Sequence, residues 1–223
     1  MALVKNKTRI QLQKNCIRLL ADIYWGPTID ICKDMVNGTY LSSFEQLNKL
    51  LGIDISGDIK ALNQSISKYT SADLLFDELE GIYVSMFINA LDGIQTPLYH
   101  SCYLGETASD KGLLMGASAI EMANRYEAAG LSLSKDIKEP PDHISLELEY
   151  LYFLQGGLET AEKESFQAEI NEYISVFMLP WINTFLECIK STNNELIYPQ
   201  MTAILVAVLE HILKTDIKTN ADC

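Results

Sequence analysis

The sequence predicts an all-α bundle of about nine or ten helices, with a larger N-terminal part joined by a hinge to a smaller C-terminal part. Three observations predict it. Apolar residues recur at helical spacing along most of the chain, and Gly, Pro and Asn punctuate those runs. Of the 223 residues 48% are apolar, ample for a packed core. Ile10, Ile17, Leu20 and Tyr24 give the first segment its apolar stripe, which Gly26 and Pro27 close. A second short helix is predicted over 28–36, ended by Asn37 and Gly38, and a third over 42–51 or 43–51, stopped by Gly52. Residues 58–68 make a fourth. The fifth, 72–90, puts Leu75, Leu79, Ile82, Met86 and the adjacent Phe87 on its apolar face, and Tyr83 and Phe87, four apart, share a side.

Residues 92–112 read as a long, mostly irregular loop with Gly93, Pro97 and Gly105. Loops of this length in a compact domain are usually functional or disordered, and one that carries Tyr99 and Tyr103 should pack over something. A helix over 114–129 ends at Gly130, and the polar run LSLSKDIKEPPD then reads as the join between the two parts. The chain is thereby divided into 1–130, a hinge at 131–143 and 144–223. After the join, Ile144, Leu146, Leu148 and Tyr150 alternate with polar residues as in a half-buried strand. Against a strand stand Pro140 and Pro141 as helix starters and the i, i+4, i+7 set of Ile144, Leu148 and Leu151, so the residues alone leave this segment open. Residues 159–190 are helical in composition, but Pro180 should kink or divide them near 177–179. The last helix begins at Pro199 and puts Met201, Ile204, Leu205, Val208, Leu209 and Ile212 on one face.

The 17 basic against 30 acidic residues give a formal charge of −13. Such a surface repels phosphates and anionic lipid heads, which argues against nucleic acid and favours basic partners. Cys16, Cys32, Cys102, Cys188 and Cys223 are odd in number and form no C-x-x-C pair, so neither a disulfide framework nor a zinc site is indicated and a reducing cytoplasm fits. The start, MALVKNKTRIQLQKN, lacks the apolar core of a secretory signal. The richest apolar stretches fall short of the roughly 20 residues a spanning helix needs, so no stable membrane insertion is expected.

Catalysis finds little support. Asp142 beside His143 supplies only part of a triad, with no nucleophile elbow. His100, His143 and His211 have no metal spacing, the Glu-x-x-His pairs of a di-iron bundle are missing, and no GxxxxGK[ST] loop holds phosphates. The expectation is a protein that is no enzyme and carries no cofactor. Binding suits the residues better. Glu139, Pro140, Pro141, Asp142 and His143 run together ahead of the apolar segment ISLELEYLYFL, and Asp142 suits the positive end of a helix dipole.

Upstream of EPPDH lie YVSMF (Tyr83 to Phe87), PLYHSCYL (Pro97 to Leu104) and GLLMG (Gly112 to Gly116), and downstream lies FMLPWINTF (Phe177 to Phe185). In that order these segments resemble the TorD/DmsD family of cytoplasmic redox-enzyme maturation chaperones, with Met86 in place of the usual leucine and His100 where acidic or small residues are common. The resemblance implies a TorD-like helical fold and a helix over about 141–155. It also implies a chaperone that binds the twin-arginine signal peptide of a molybdenum-cofactor enzyme and delays export until cofactor insertion and folding are complete. Its partners would be that signal peptide and the apo-form of the enzyme. Tyr83, Phe87, Tyr99 and Tyr103, with Met86 and Pro97 beside them, would line an apolar cleft, although Met86 and Phe87 also read as core. Asp142 and Glu139 would face the arginines, with Pro140 and His143 at the peptide-binding hinge, while Trp181 reads as core. The alternatives are a chaperone of the NarJ kind acting mainly on the apo-enzyme body and, from another class, a small helical hydrolase using His143. A monomer is expected, with a domain-swapped dimer open to it through the hinge.

Overall fold

Chain direction is set early by a left-handed residue. Helix α1 (Ala2–Trp25) stops where Gly26 takes a φ of 118°, a region that suits glycine. The structure, a computed structural model, describes residues 2–89, 94, 96–103, 114–192 and 196–221. Thr28 caps α2 (Ile29–Val36), its hydroxyl accepting from the Ile31 N–H at 3.2 Å. Helix α3 (Thr39–Leu51) starts ahead of the serines predicted to begin it, because the Asn37 side chain accepts from the Thr39 N–H at 2.8 Å. It ends at Gly52 as predicted. Helix α4 (Ser56–Ile66) follows.

Ser71 caps α5 (Ala72–Tyr83), which does not run on as one α-helix. It passes into a π-helical turn over Val84–Ile88, a wider winding that directs Met86 and Phe87 into the core. Position 90, the predicted end of this helix, and most of the loop over 92–112, with Leu104, Gly105 and Gly112, lie outside the described residues. Within that loop His100–Cys102 form a single 3₁₀ turn. Helix α6 (Ala117–Ala128) is shorter than predicted at its start, where Met115 adopts a φ of 61°, and closes at Gly130, φ 68°.

The segment that could have been a strand is α7 (Ile144–Gly157). Its alternation misleads because Ser145 and Glu147 are as buried as their apolar neighbours, so the polar positions mark no solvent face. Pro140 and Pro141 belong to the turn ahead of the helix, and His143 is the residue that caps it. Gly156 and Gly157 form its last turn. A Cβ at Gly157 would collide with the Phe166 ring of the next helix, so glycine is there for close packing. Helix α8 (Lys163–Glu172) passes into a second π-helical turn, Tyr173–Met178, and then into α9 (Leu179–Ser191) with Pro180 in its first turn, which divides the segment where the proline predicted. Helix α10 (Tyr198–Ala221) ends the fold.

Helix α1 lies along α7, α2 packs on α5 and α3, α8 on α7, and α10 on α9, α4 and α1. The apolar core is one cluster that draws residues from before and after the 131–143 segment and is centred on the fully buried Tyr24, Phe44, Tyr150, Tyr173, Trp181, Phe185 and Tyr198. At its heart sits a polar group. Glu147 Oε1 lies 2.9 Å from His100 Nδ1, and Glu147 Oε2 accepts from the Trp181 indole N–H at 2.9 Å. The His100 ring stacks on Trp181 at 5.1 Å. His100, the departure from the family pattern, thus completes a core network. No strand occurs among the described residues, and none of their helices is long and apolar enough to cross a membrane.

Candidate functional site

Two segments far apart in sequence meet where residues 98–101 cross 142–144. Ile144 N–H donates to the Leu98 carbonyl at 2.9 Å and His100 N–H to the Asp142 carbonyl at 3.0 Å, forming an antiparallel bridge between Tyr99 and His143. Asp142 is fully buried beneath this crossing. Its Oδ2 accepts from the Ser101 N–H at 2.8 Å and the Ser118 hydroxyl at 3.2 Å, tying the loop and the start of α6 to the turn before α7. The expectation that Asp142 faces a peptide's arginines therefore needs correction: its carboxylate points inward and holds the Ser101 backbone and the Ser118 hydroxyl.

His143, itself buried, is the hub against which the neighbouring surface residues pack. Its Nδ1 accepts from the Ser145 N–H at 3.2 Å, capping α7, and burial pushes its pKa down to about 4. The imidazole is thus neutral, as its place at a helix start favours. One face stacks on Trp25 at 4.8 Å with the rings 15° apart, and Tyr99 meets it edge-on at 5.4 Å. Each aromatic flank ends on a carboxylate. The Tyr99 hydroxyl donates to Glu139 at 2.6 Å, and the Trp25 indole N–H donates to Glu149 at 2.9 Å. Burial, and then the Glu139 carboxylate, hold the Tyr99 phenol well above its ordinary range. Tyr83 lies beside this group with its ring on the core residues Phe87, at 5.3 Å, and Tyr198, at 6.4 Å; it also faces Gly26, where a Cβ would stand 3.5 Å away, and its hydroxyl donates to the Tyr24 carbonyl at 3.0 Å. Burial first and the neighbouring Glu139 second push the Tyr83 phenol up to about 12.

The structure thus brings Trp25 and Tyr99 onto His143, with Glu149 on Trp25, Glu139 on Tyr99 and Pro140 in the turn alongside, while the Tyr83 ring belongs with Phe87 and Tyr198. Trp25, Tyr83, Tyr99 and Glu139 are half-buried and Glu149 is exposed. Neither Glu139 nor Glu149 has an ion-pair partner among the described residues. Met86 and Phe87 do not belong to this surface. They are core, with Phe87 against Tyr198 at 4.9 Å. Tyr103 is half-buried, and its ring packs on Trp181 and Phe185 while its hydroxyl donates to the Pro97 carbonyl at 2.7 Å, so it props the loop from inside. Sequence reasoning missed Trp25 and Glu149. Trp25 stands directly before the Gly-Pro stop and outside the apolar stripe of its segment. Glu149 stood among alternating acids in a segment whose faces were undecided. Among the described residues no group of three or more His, Cys, Asp or Glu is placed to hold a metal.

Comparison with known proteins identifies the family of the chain. Residues 53–187 match the family model described as nitrate reductase delta subunit. A chaperone protein TorD of Photobacterium profundum is 25% identical over 198 residues, covering 84% of this chain and 89% of the relative. A chaperone protein TorD of Vibrio parahaemolyticus is 24% identical over 204 residues, with the same coverage of 84% and 89%. A crystal structure of a provisionally assigned redox enzyme maturation protein from Archaeoglobus fulgidus covers 91% of this chain and 92% of its own, at 20% identity and a TM-score of 0.46. The chain belongs to the nitrate reductase delta subunit family, that of the TorD redox-enzyme maturation chaperones, and is a chaperone and not an enzyme.

Proposed function

We propose that this chaperone binds the twin-arginine signal peptide of a molybdenum-cofactor enzyme precursor in the cytoplasm, on the surface built around His143, and withholds it from export until the cofactor is in place. The observation that carries this reading is a pair of half-buried rings, Trp25 and Tyr99, flanking His143 and each bonded to a carboxylate that has no cationic partner among the described residues. A twin-arginine leader offers the complement, guanidinium forks followed by an apolar stretch. Arginine heads suit Glu139 and Glu149 through charge-assisted hydrogen bonds, and the apolar stretch suits the rings. The formal charge of −13 adds long-range attraction for a basic segment. Asp142 serves the site indirectly, by fixing the hinge on which Tyr99 and His143 meet.

The NarJ-like alternative, in which the enzyme body is the main target, is separated by calorimetry. A synthetic leader peptide and the leaderless apo-precursor are titrated in parallel. The reading predicts saturable binding of the leader alone, weakening as salt rises because exposed charges are screened over about 8 Å at physiological ionic strength. Binding of the leaderless body with no heat from the leader would overturn it.

A further inference from the structure

On its far side from the His143 cluster, Glu149 borders a second feature. The C-terminal end of α6, residues 131–133 and α7 enclose a pocket of about 210 Å³, walled by Tyr126, Leu133, Leu146, Tyr150 and Phe153, with Glu149 as its carboxylate. It is smaller than the roughly 300–1,000 Å³ that drug-sized ligands occupy and is sized for one long side chain. The Tyr126 and Tyr150 rings meet edge-on at 5.6 Å, and Tyr150 and Phe153 stack at 6.1 Å. Both tyrosine hydroxyls are already engaged, that of Tyr126 with the Pro141 carbonyl at 3.2 Å and that of Tyr150 with Glu169. The walls therefore present mainly ring surface and aliphatic carbon, with Ser132 as a neutral polar residue and the Glu149 side chain as the anionic group among the lining residues.

We propose that this pocket is a subsite for a single cationic side chain, arginine or lysine, of a bound peptide. The aliphatic stem would lie on Leu133, Leu146 and the rings, and the head would meet Glu149. Three features match that occupant. Ring faces attract a cation and cover its stem. The Trp25 indole N–H fixes Glu149 Oε1, which leaves Oε2 free to accept from the ligand. No described cation neutralises the carboxylate. The inference deepens the peptide-binding reading, since Glu149 joins the pocket to the Trp25 stack, but it stands on the pocket's own geometry.

The indole hydrogen bond supplies the reporter. The chain has two tryptophans, and Trp181 is fully buried. In proton–nitrogen NMR of the full chain titrated with N-acetylarginine N-methylamide, the Trp25 indole N–H signal should shift saturably while that of Trp181 stays in place. The norleucine counterpart, with the stem but no charge, should leave Trp25 unmoved. Glu149→Gln keeps an acceptor for the indole and should weaken the arginine probe by about tenfold. Phe153→Ala should weaken it less. An unmoved Trp25 signal, an equal response to norleucine, or undiminished affinity in Glu149→Gln would each overturn the proposal. If the leader titration fails while the arginine probe still shifts Trp25, the signal-peptide reading falls and this one stands. The reverse pattern removes this one alone.

Discussion

Replacing Glu147 by alanine should lower the unfolding free energy by about 3–5 kcal/mol, the sum of two buried nitrogens left unpaired, at about 1–3 kcal/mol each, and a small void. Glu147 is fully buried, and its two oxygens meet His100 Nδ1 and the Trp181 indole N–H. Alanine would leave both nitrogens without partners in the core and a void beside them. Burial holds the Glu147 carboxyl well above its ordinary range and pushes His100 down to about 4. The pair is therefore neutral, with the carboxyl proton shared with His100 Nδ1 and the other oxygen accepting from Trp181. Glutamine has the same pattern, an N–H for His100 and an oxygen for the indole, so Glu147→Gln should cost no more than about 1 kcal/mol. Urea denaturation of both variants checks this. A glutamine variant as unstable as the alanine one would mean that a charged carboxylate is required.

Acidification should destabilise the wild-type chain by about 3 kcal/mol more than it does His143→Asn, the equivalent of the gap between two proton affinities. Folded His143 titrates at about 4, against an ordinary value of 6.5. Because the folded pKa is depressed, the unfolded chain binds the proton more readily, so stability is fully present above pH 6.5 and is lost as pH falls toward about 4. The cause is geometric: His143 is buried between Trp25 and Tyr99 with Nδ1 committed to the cap of α7. Asparagine keeps a capping oxygen but does not titrate. Other ionisable groups, Glu147 included, act alike in both proteins and drop out of the comparison. Denaturation midpoints from pH 7 down to pH 4 read the two slopes, and parallel slopes would contradict the buried neutral imidazole.

Helix starts and stops were legible where local chemistry decides them. Thr28, Gly52, Gly130 and Pro180 act where the sequence put them. Side-chain direction was not legible in EPPDH, since Glu139 and Asp142 are three residues apart in one short motif. Only the crossing of 98–101 with 142–144 turns Asp142 inward and leaves Glu139 at the surface. The π-helical turns left no mark either, because YVSMF and YISVFM read as ordinary apolar helix, yet the first of them carries the buried Met86 and Phe87. Trp25 becomes part of the site through its stack on a histidine more than a hundred residues away in sequence, a contact no local pattern encodes.

The most direct test of the account is a paired calorimetric titration of one synthetic twin-arginine leader into the wild type and into Glu139→Gln. Glu139 is half-buried, bonded to the Tyr99 hydroxyl and without a described cation, so its neutral isostere removes the charge while keeping an acceptor for the tyrosine. The account predicts binding weakened by about 1–3 kcal/mol with the melting temperature nearly unchanged. Equal affinities for the two proteins would contradict it, and would remove the aromatic and carboxylate surface around His143 as the place where the leader's arginines are read.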